Sequence, residues 1–198
     1  MQTWPRSVRR LFGHPIAIWF CSETTDIVTA LQQGVVVALA PDWSPTGSTS
    51  MLAEVKYASE YSTAKLNGAL SPKQLFEMAT LIPARIAQID QWVGSITSGK
   101  YADIFMIKKN SSDAYLNLIS ASPLDITIVM VNGMPVYGTA ERMTQAGVTS
   151  VEDITVCSDK RSLNSVALTN GVFSTAVAHL TTKLAGENSA LGPIAECN

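Results

Sequence analysis

The chain has 198 residues, 46% hydrophobic and 15% charged, which suits one domain of ordinary size, or one with an appendage, around a substantial core. Its formal net charge of −2 comes from 14 basic and 16 acidic residues mixed along the length, which argues against a nucleic-acid or membrane partner. Cys21, Cys157 and Cys197 lie far apart and form no Cys-x-x-Cys pair, so neither a zinc knuckle nor a disulfide framework is supported and a reducing, cytoplasmic setting is expected.

The first 21 residues place Arg6, Arg9 and Arg10 ahead of a short apolar stretch, the order of a signal peptide. His14 and Pro15 interrupt that stretch and no small-residue cleavage site follows, so residues 1–23 are read as a leader of undetermined structure. No apolar run approaches the roughly 18 residues of a membrane span.

The spacing of Ile27, Ala30 and Leu31 predicts a helix over Thr24 to Gln33, with Gly34 placed for a left-handed end. Val35 to Ala40 follow at once as a continuous apolar run, so this stretch is read as an α-to-β unit feeding a buried parallel strand. A second helix carries Met51, Leu52, Val55 and Ala58 on one face. Ser71, Pro72 and Gln74 mark the start of a third through an S-x-x-Q capping box, and Pro83 is expected to kink or break it, with Ala84 to Ile89 continuing.

From Gly94 the period changes. Ala102 to Ile107 and Ile126 to Val131 read as strands, and Asn132-Gly133 is a favoured hairpin turn before Met134 to Tyr137. Beyond Gln145 the signal is weaker: "VEDITVC" is a candidate strand, and helical stretches flank Gly171. The resulting division is a leader at 1–23, a strand with helices at 24–93, a small β unit at 94–145, and a mixed, largely helical extension at 146–198.

Few side chains offer chemistry. Asp42 lies two residues past the buried run, in a loop with Pro41, Pro45 and Gly47, and active sites of parallel α/β folds form at the carboxyl ends of strands. A carboxylate there can ligate a divalent metal or move a proton; it can equally close an Asx-turn or cap the next segment. His14 and His179 have no second ligand at helical spacing, so a core or surface position is the expectation for His179. There is no G-x-S-x-G, no P-loop and no G-x-G-x-x-G.

The ordered set "GVVVALAPDWSPTGS", "MLAEVKYA", "LSPKQLFEMATLIPARI", "VGSITSGKYADIFMI" and "ITIVMVNGMPVYG" resembles the carboxy-terminal part of the amidohydrolase superfamily. Within it the similarity is to the metal-dependent hydrolases that include cytosine and guanine deaminases and chlorohydrolases. The resemblance implies the last part of a (β/α)8 barrel plus part of a small β-sandwich domain. It makes Asp42 the aspartate that ligates the metal and shuttles a proton from water to the leaving amine, and Trp43 and Ser44 positions that shape the pocket floor. It further implies a divalent metal, zinc or iron, in the parent enzyme and a small heterocyclic substrate.

The sequence departs from the family in three ways. Ala40-Pro41 stand where Gly-Thr or Gly-Ser is usual, and Ile82 stands where Asn is common. The family's H-x-H pair and two later histidines have no counterpart, and only Trp19 hints at the strand that would precede Val35. The chain is therefore expected to be a truncated carbon–nitrogen hydrolase, inactive alone, that associates with itself or another chain through exposed barrel edges. The alternative is a non-catalytic binding module derived from such an enzyme.

Overall fold

A computed structural model describes residues 8–11, 14–19, 27–41, 48–169, 172–192, 195 and 197. The chain divides into two compact units, one of Met1–Lys100 with Lys109–Ser120 and one of Tyr101–Lys108 with Ala121–Asn198.

In the first unit, strand β1 (Val8–Leu11) pairs antiparallel with β2 (His14–Trp19), so part of the stretch read as a leader is a strand pair. Helix α1 (Ile27–Gln32) ends where expected: Gly34 takes φ +72°, and the N–H of Val35 reaches back to the Ala30 carbonyl at 3.0 Å. Strand β3 (Val36–Leu39) then runs parallel to β2, with Trp19 level with Leu39, as the α-to-β reading predicts.

Helix α2 (Met51–Lys65) opens on Ser50, whose hydroxyl accepts the Ala53 N–H at 3.2 Å. Helix α3 (Pro72–Ala79) starts with the expected capping box on Ser71 and Gln74. The helix break falls at Thr80, three residues before the expected site, and α4 (Leu81–Ile86) carries Pro83 in its first turn. The reason is steric: a proline inside a helix clashes with the carbonyl four residues back, whereas in a first turn its missing N–H costs nothing. A short helix that the sequence did not announce, α5 (Ala114–Ile119), is capped by Asp113, which accepts from the N–H groups of Tyr115 and Leu116.

The core of this unit joins Val37 and Leu39 of β3 to Ile27 and Ala30 of α1, Val55 and Ala58 of α2, Leu75 and Met78 of α3, and Ile119 of α5. Six residues of that set, Ile27, Ala30, Val37, Leu39, Ala58 and Leu75, are at most 1% exposed, so helices cover one face of β3 completely. Ala38, on the other face, is also buried. A strand apolar on both faces is what a parallel layer requires.

The second unit is an antiparallel sheet in the order β4-β5-β6-β8-β7. Its strands are β4 (Ile104–Ile107), β5 (Ile126–Val131), β6 (Met134–Gly138), β7 (Glu152–Val156) and β8 (Asp159–Leu163). The β5–β6 turn is the expected Asn132-Gly133, with φ +49° and +76° at its two residues. The sheet also takes in residues 152–163, part of the stretch read as a largely helical extension. Helix α6 (Ala140–Gln145) buries Met143 against the sheet, and α7 (Ser165–Thr169) and α8 (Phe173–Gly186) follow β8. A turn of 3-10 helix at Pro123–Asp125 leads into β5.

The cysteines correct the sequence reading. Cys157 and Cys197, 40 residues apart, form a disulfide with Cα atoms 5.5 Å apart. Linear spacing carries no information about such a pairing, because connectivity depends on the fold. Cys21 lies outside the described residues.

Candidate functional site

Strands β2 and β3 run the same way and finish level, Trp19 beside Leu39, so both carboxyl ends open at one edge of the layer. Helix α2 is the next described element after β3, the strand-to-helix order whose connection carries chemistry in parallel α/β folds. Leu39, at the strand's end, is 1% exposed, while Ala40 and Pro41 emerge to half-buried positions. Asp42, Trp43 and Ser44, the residues singled out from the sequence, lie in residues 42–47, outside those described.

On the far side of the loop, Glu54 in the first turn of α2 is 2% exposed, the one fully buried carboxylate among the described residues. Its backbone N–H bonds to the Ser50 carbonyl at 2.9 Å, which fixes the turn that carries it. It stands in the quoted stretch "MLAEVKYA", where sequence reasoning used only the apolar face; a charged residue on the buried side of that face was the available signal.

Two other charges of the quoted stretches have structural tasks. Lys100 bridges the turn before the second unit: its Nζ donates to the Asp90 carbonyl, to the Val93 carbonyl at 3.4 Å and to the Ser95 hydroxyl at 2.7 Å. The Asp103 carboxylate accepts the Asn132 N–H at 2.7 Å and holds the hairpin turn. His14 begins β2, and His179 is exposed on α8, at the surface as one of its two expected placements allowed.

Two groups in the second unit are electrostatically distinctive. Arg161 of β8 is only 4% exposed; it donates to the carbonyls of Lys160 and Leu124, each at 2.9 Å, and its Nε has no partner among the described residues. Burial pushes the Tyr137 phenol above its ordinary value, and the Arg161 cation beside it offsets part of that rise. Glu152 of β7 is held below the usual carboxylate range, first by the Ser174 hydroxyl and then by the backbone N–H groups of Ser174 and Phe173 and the Ser165 hydroxyl. Among the described residues, no group of three or more His, Cys, Asp or Glu could hold a metal ion. No described helix is long and apolar enough to cross a membrane.

The model of the Amidohydrolase family matches residues 6–136. Solved structures similar to the chain include an adenosine deaminase from Xanthomonas campestris with bound zinc, at 27% identity and a TM-score of 0.49, over 55% of this chain and 27% of that one. Escherichia coli guanine deaminase is similar at 24% identity and a TM-score of 0.49, over 58% of this chain and 30% of that one. A zinc-complexed atrazine chlorohydrolase from Arthrobacter aurescens TC1 is similar at 23% identity and a TM-score of 0.45, over 61% and 31%. The chain thus spans less than a third of the length of these structures. A search among curated proteins finds no match.

Proposed function

The chain belongs to the amidohydrolase family, and from that premise we propose that it is the closing part of a metal-dependent hydrolase of non-peptide carbon–nitrogen bonds, acting on a small heterocycle. In this reading β3 and α2 end a (β/α)8 barrel, and β4 to β8 form part of a small β-sandwich domain. The division at residues 23, 93 and 145 stays part of the proposal. The observation that carries it is the parallel β2–β3 pair with level carboxyl ends, with α2 the next described element, inside the span matched by the family model.

Asp42 is assigned the proton work. It takes a proton from the attacking water and returns it to the leaving nitrogen, which a carboxylate at the mouth of a closed strand end is suited to do. Trp43 and Ser44 shape the pocket floor beside it. Val36 and Ala38 stand on the face of β3 turned away from the helices, and Asp42 follows at the same parity in the sequence.

A divalent metal is zinc or iron in this proposal, and zinc takes three or four protein ligands. The described residues do not supply such a set, so no step is routed through a metal here. The missing donors must come from another chain or from further sequence, and the chain is expected to be inactive alone. Strand β3 pairs with β2 only, among the described residues, and its other edge is where association with a second chain is proposed. We place the protein in the cytoplasm. The thin donor set favours one second reading, a non-catalytic binding module descended from such an enzyme.

The test begins with the transcript ahead of the Met1 codon. An in-frame H-x-H following an apolar strand supports the enzyme reading. The extended protein should then release ammonia or halide from heterocyclic substrates, and Asp42→Asn should lower that rate about 100- to 10,000-fold, the usual contribution of a general acid–base. No such extension, together with no metal in elemental analysis of the purified chain, leaves the binding module. A monodisperse monomer on sizing chromatography would count against edge association.

A further inference from the structure

Helix α8 is attached to the second unit in an unusual manner. None of its residues is buried. Its apolar positions Phe173, Val177 and Leu184 are only half-covered, and Leu180 between them is 50% exposed. Packing of an apolar stripe normally supplies most of a helix's stability in a protein, and here that contribution is thin.

Two covalent or polar anchors take its place. At the amino end the Glu152 carboxylate accepts from the Phe173 and Ser174 N–H groups, both at 2.7 Å, and from the Ser165 hydroxyl at 3.0 Å. At the other end Glu187 to Gly192 are exposed, and Cys197 further along is bonded to Cys157. Cys157 sits at the tip of the β7–β8 hairpin, at φ +56°. Between the two anchors the hydrogen bonds of the described tail residues are local: the N–H groups of Glu187 and Ser189 donate to the Leu184 carbonyl and that of Asn188 to the Ala185 carbonyl. No hydrogen bond or ion pair of the described tail residues reaches the sheet.

We propose that Cys157–Cys197 is a thiol-exchange site whose cleavage releases the carboxy-terminal strap, α8 with the tail behind it, from the sheet. The reductant is a low-molecular-weight thiol. Its thiolate attacks Sγ of Cys197, the exposed partner. The S–S bond breaks, the electron pair leaves on Sγ of Cys157, and a mixed disulfide forms on Cys197. A second thiol resolves that mixed disulfide, so two thiols are oxidised to one disulfide and both cysteines end as thiols. Exposed protein disulfides are the labile and regulatory ones. After reduction α8 keeps only the Glu152 anchor, and its last turns fray.

The test uses the full chain with Cys21→Ser, which removes thiol reshuffling. Air-oxidised and dithiothreitol-reduced protein are alkylated after denaturation and weighed, and each is digested with trypsin under native conditions. Lys183 lies near the end of α8, and exposed Arg142 in α6 serves as an internal control in the same unit. The expected result is no alkylated cysteine before reduction and two after it. Cleavage after Lys183 should become at least tenfold faster on reduction, while cleavage after Arg142 is unchanged. Cys197→Ser should cleave at the fast rate whether or not reductant is present. Two reactive thiols in the oxidised protein overturn the proposal. So does a Lys183 rate indifferent to reduction, or an equal rise at both sites, which signals unfolding of the unit rather than release of a strap.

Discussion

Gly138 closes β6 opposite Ile128 of β5, and the space for a side chain there is already filled. A Cβ built on Gly138 lies 2.7 Å from the Thr127 carbonyl oxygen and 3.3 Å from both Ile128 Cα and Met143 Sδ. Real Cβ atoms do not come within 3.0 Å of such a neighbour, so either β5 or β6 must shift. The Met143 side chain can yield, but the Thr127 carbonyl cannot do so freely, because it accepts the Thr139 N–H at 2.9 Å. That bond sets the first residue before α6. Overpacking a filled site costs about 1–3 kcal/mol, and weakening the buried hydrogen bond adds about 1 kcal/mol. Gly138→Ala should therefore lose roughly 3 kcal/mol in urea denaturation, or about 9 °C in Tm for a chain of this size. Gly186→Ala is the matched control. It ends α8 with nothing within 4 Å of the added Cβ, and trading Gly for Ala in a helix should leave stability unchanged or raise it by up to about 1 kcal/mol. A Gly138→Ala protein as stable as its parent would falsify the claim that backbone contact fixes this residue.

Hydrogen bonds to Glu152, first from the Ser174 hydroxyl and then from the Ser174 and Phe173 N–H groups and the Ser165 hydroxyl, hold its carboxyl below its usual range, so its stabilising effect is complete above the ordinary carboxylate pKa of about 4.3 and is lost as pH falls through the folded value. Far-UV circular dichroism should show α8 losing helix in that acid window, and Glu152→Gln should show no such step; an identical pH profile in the variant defeats the assignment. Arg161→Met strips two donors from the Leu124 and Lys160 carbonyls while removing a buried charge, and the two effects oppose each other. The net loss is expected at about 1–3 kcal/mol, with the Tyr137 phenol titrating higher than in the parent because its neighbouring cation is gone; an ultraviolet titration that moves the other way contradicts this.

Local chemistry made part of the fold legible. Ser71, Pro72 and Gln74 specify the start of α3 because each satisfies or dispenses with an orphan N–H, and Asn132-Gly133 specifies its turn because both residues tolerate positive φ. Gly34 marked the end of α1 for the same backbone reason. What escaped notice depends on partners distant in sequence. The stretch "DKRSL" has no strand-like alternation, yet β8 lies inside the sheet between β6 and β7, with Arg161 and Ser162 buried. Its polar groups are accommodated by other elements: Arg161 by the Leu124 carbonyl, Ser162 by the Asp153 carboxylate at 3.0 Å. The disulfide escaped for the same reason, since only the folded hairpin brings residue 157 to residue 197.

The candidate site divides along the same line. Strand ends carry chemistry by geometry alone, and the level ends of β2 and β3 are the part of that geometry the fold displays, while Asp42 lies outside the described residues. Position cannot distinguish a proton carrier from a turn aspartate, since Asp42 serves either with the same neighbours in sequence. The family match places the chain among amidohydrolases, and the proton-carrying role of Asp42 is proposed on that membership rather than on anything local to the residue. Glu54 sharpens the point. A carboxylate buried in the first turn of α2 must be satisfied there or cost several kcal/mol, so a charged residue on an otherwise apolar helix face is a signal that hydrophobic spacing alone passes over.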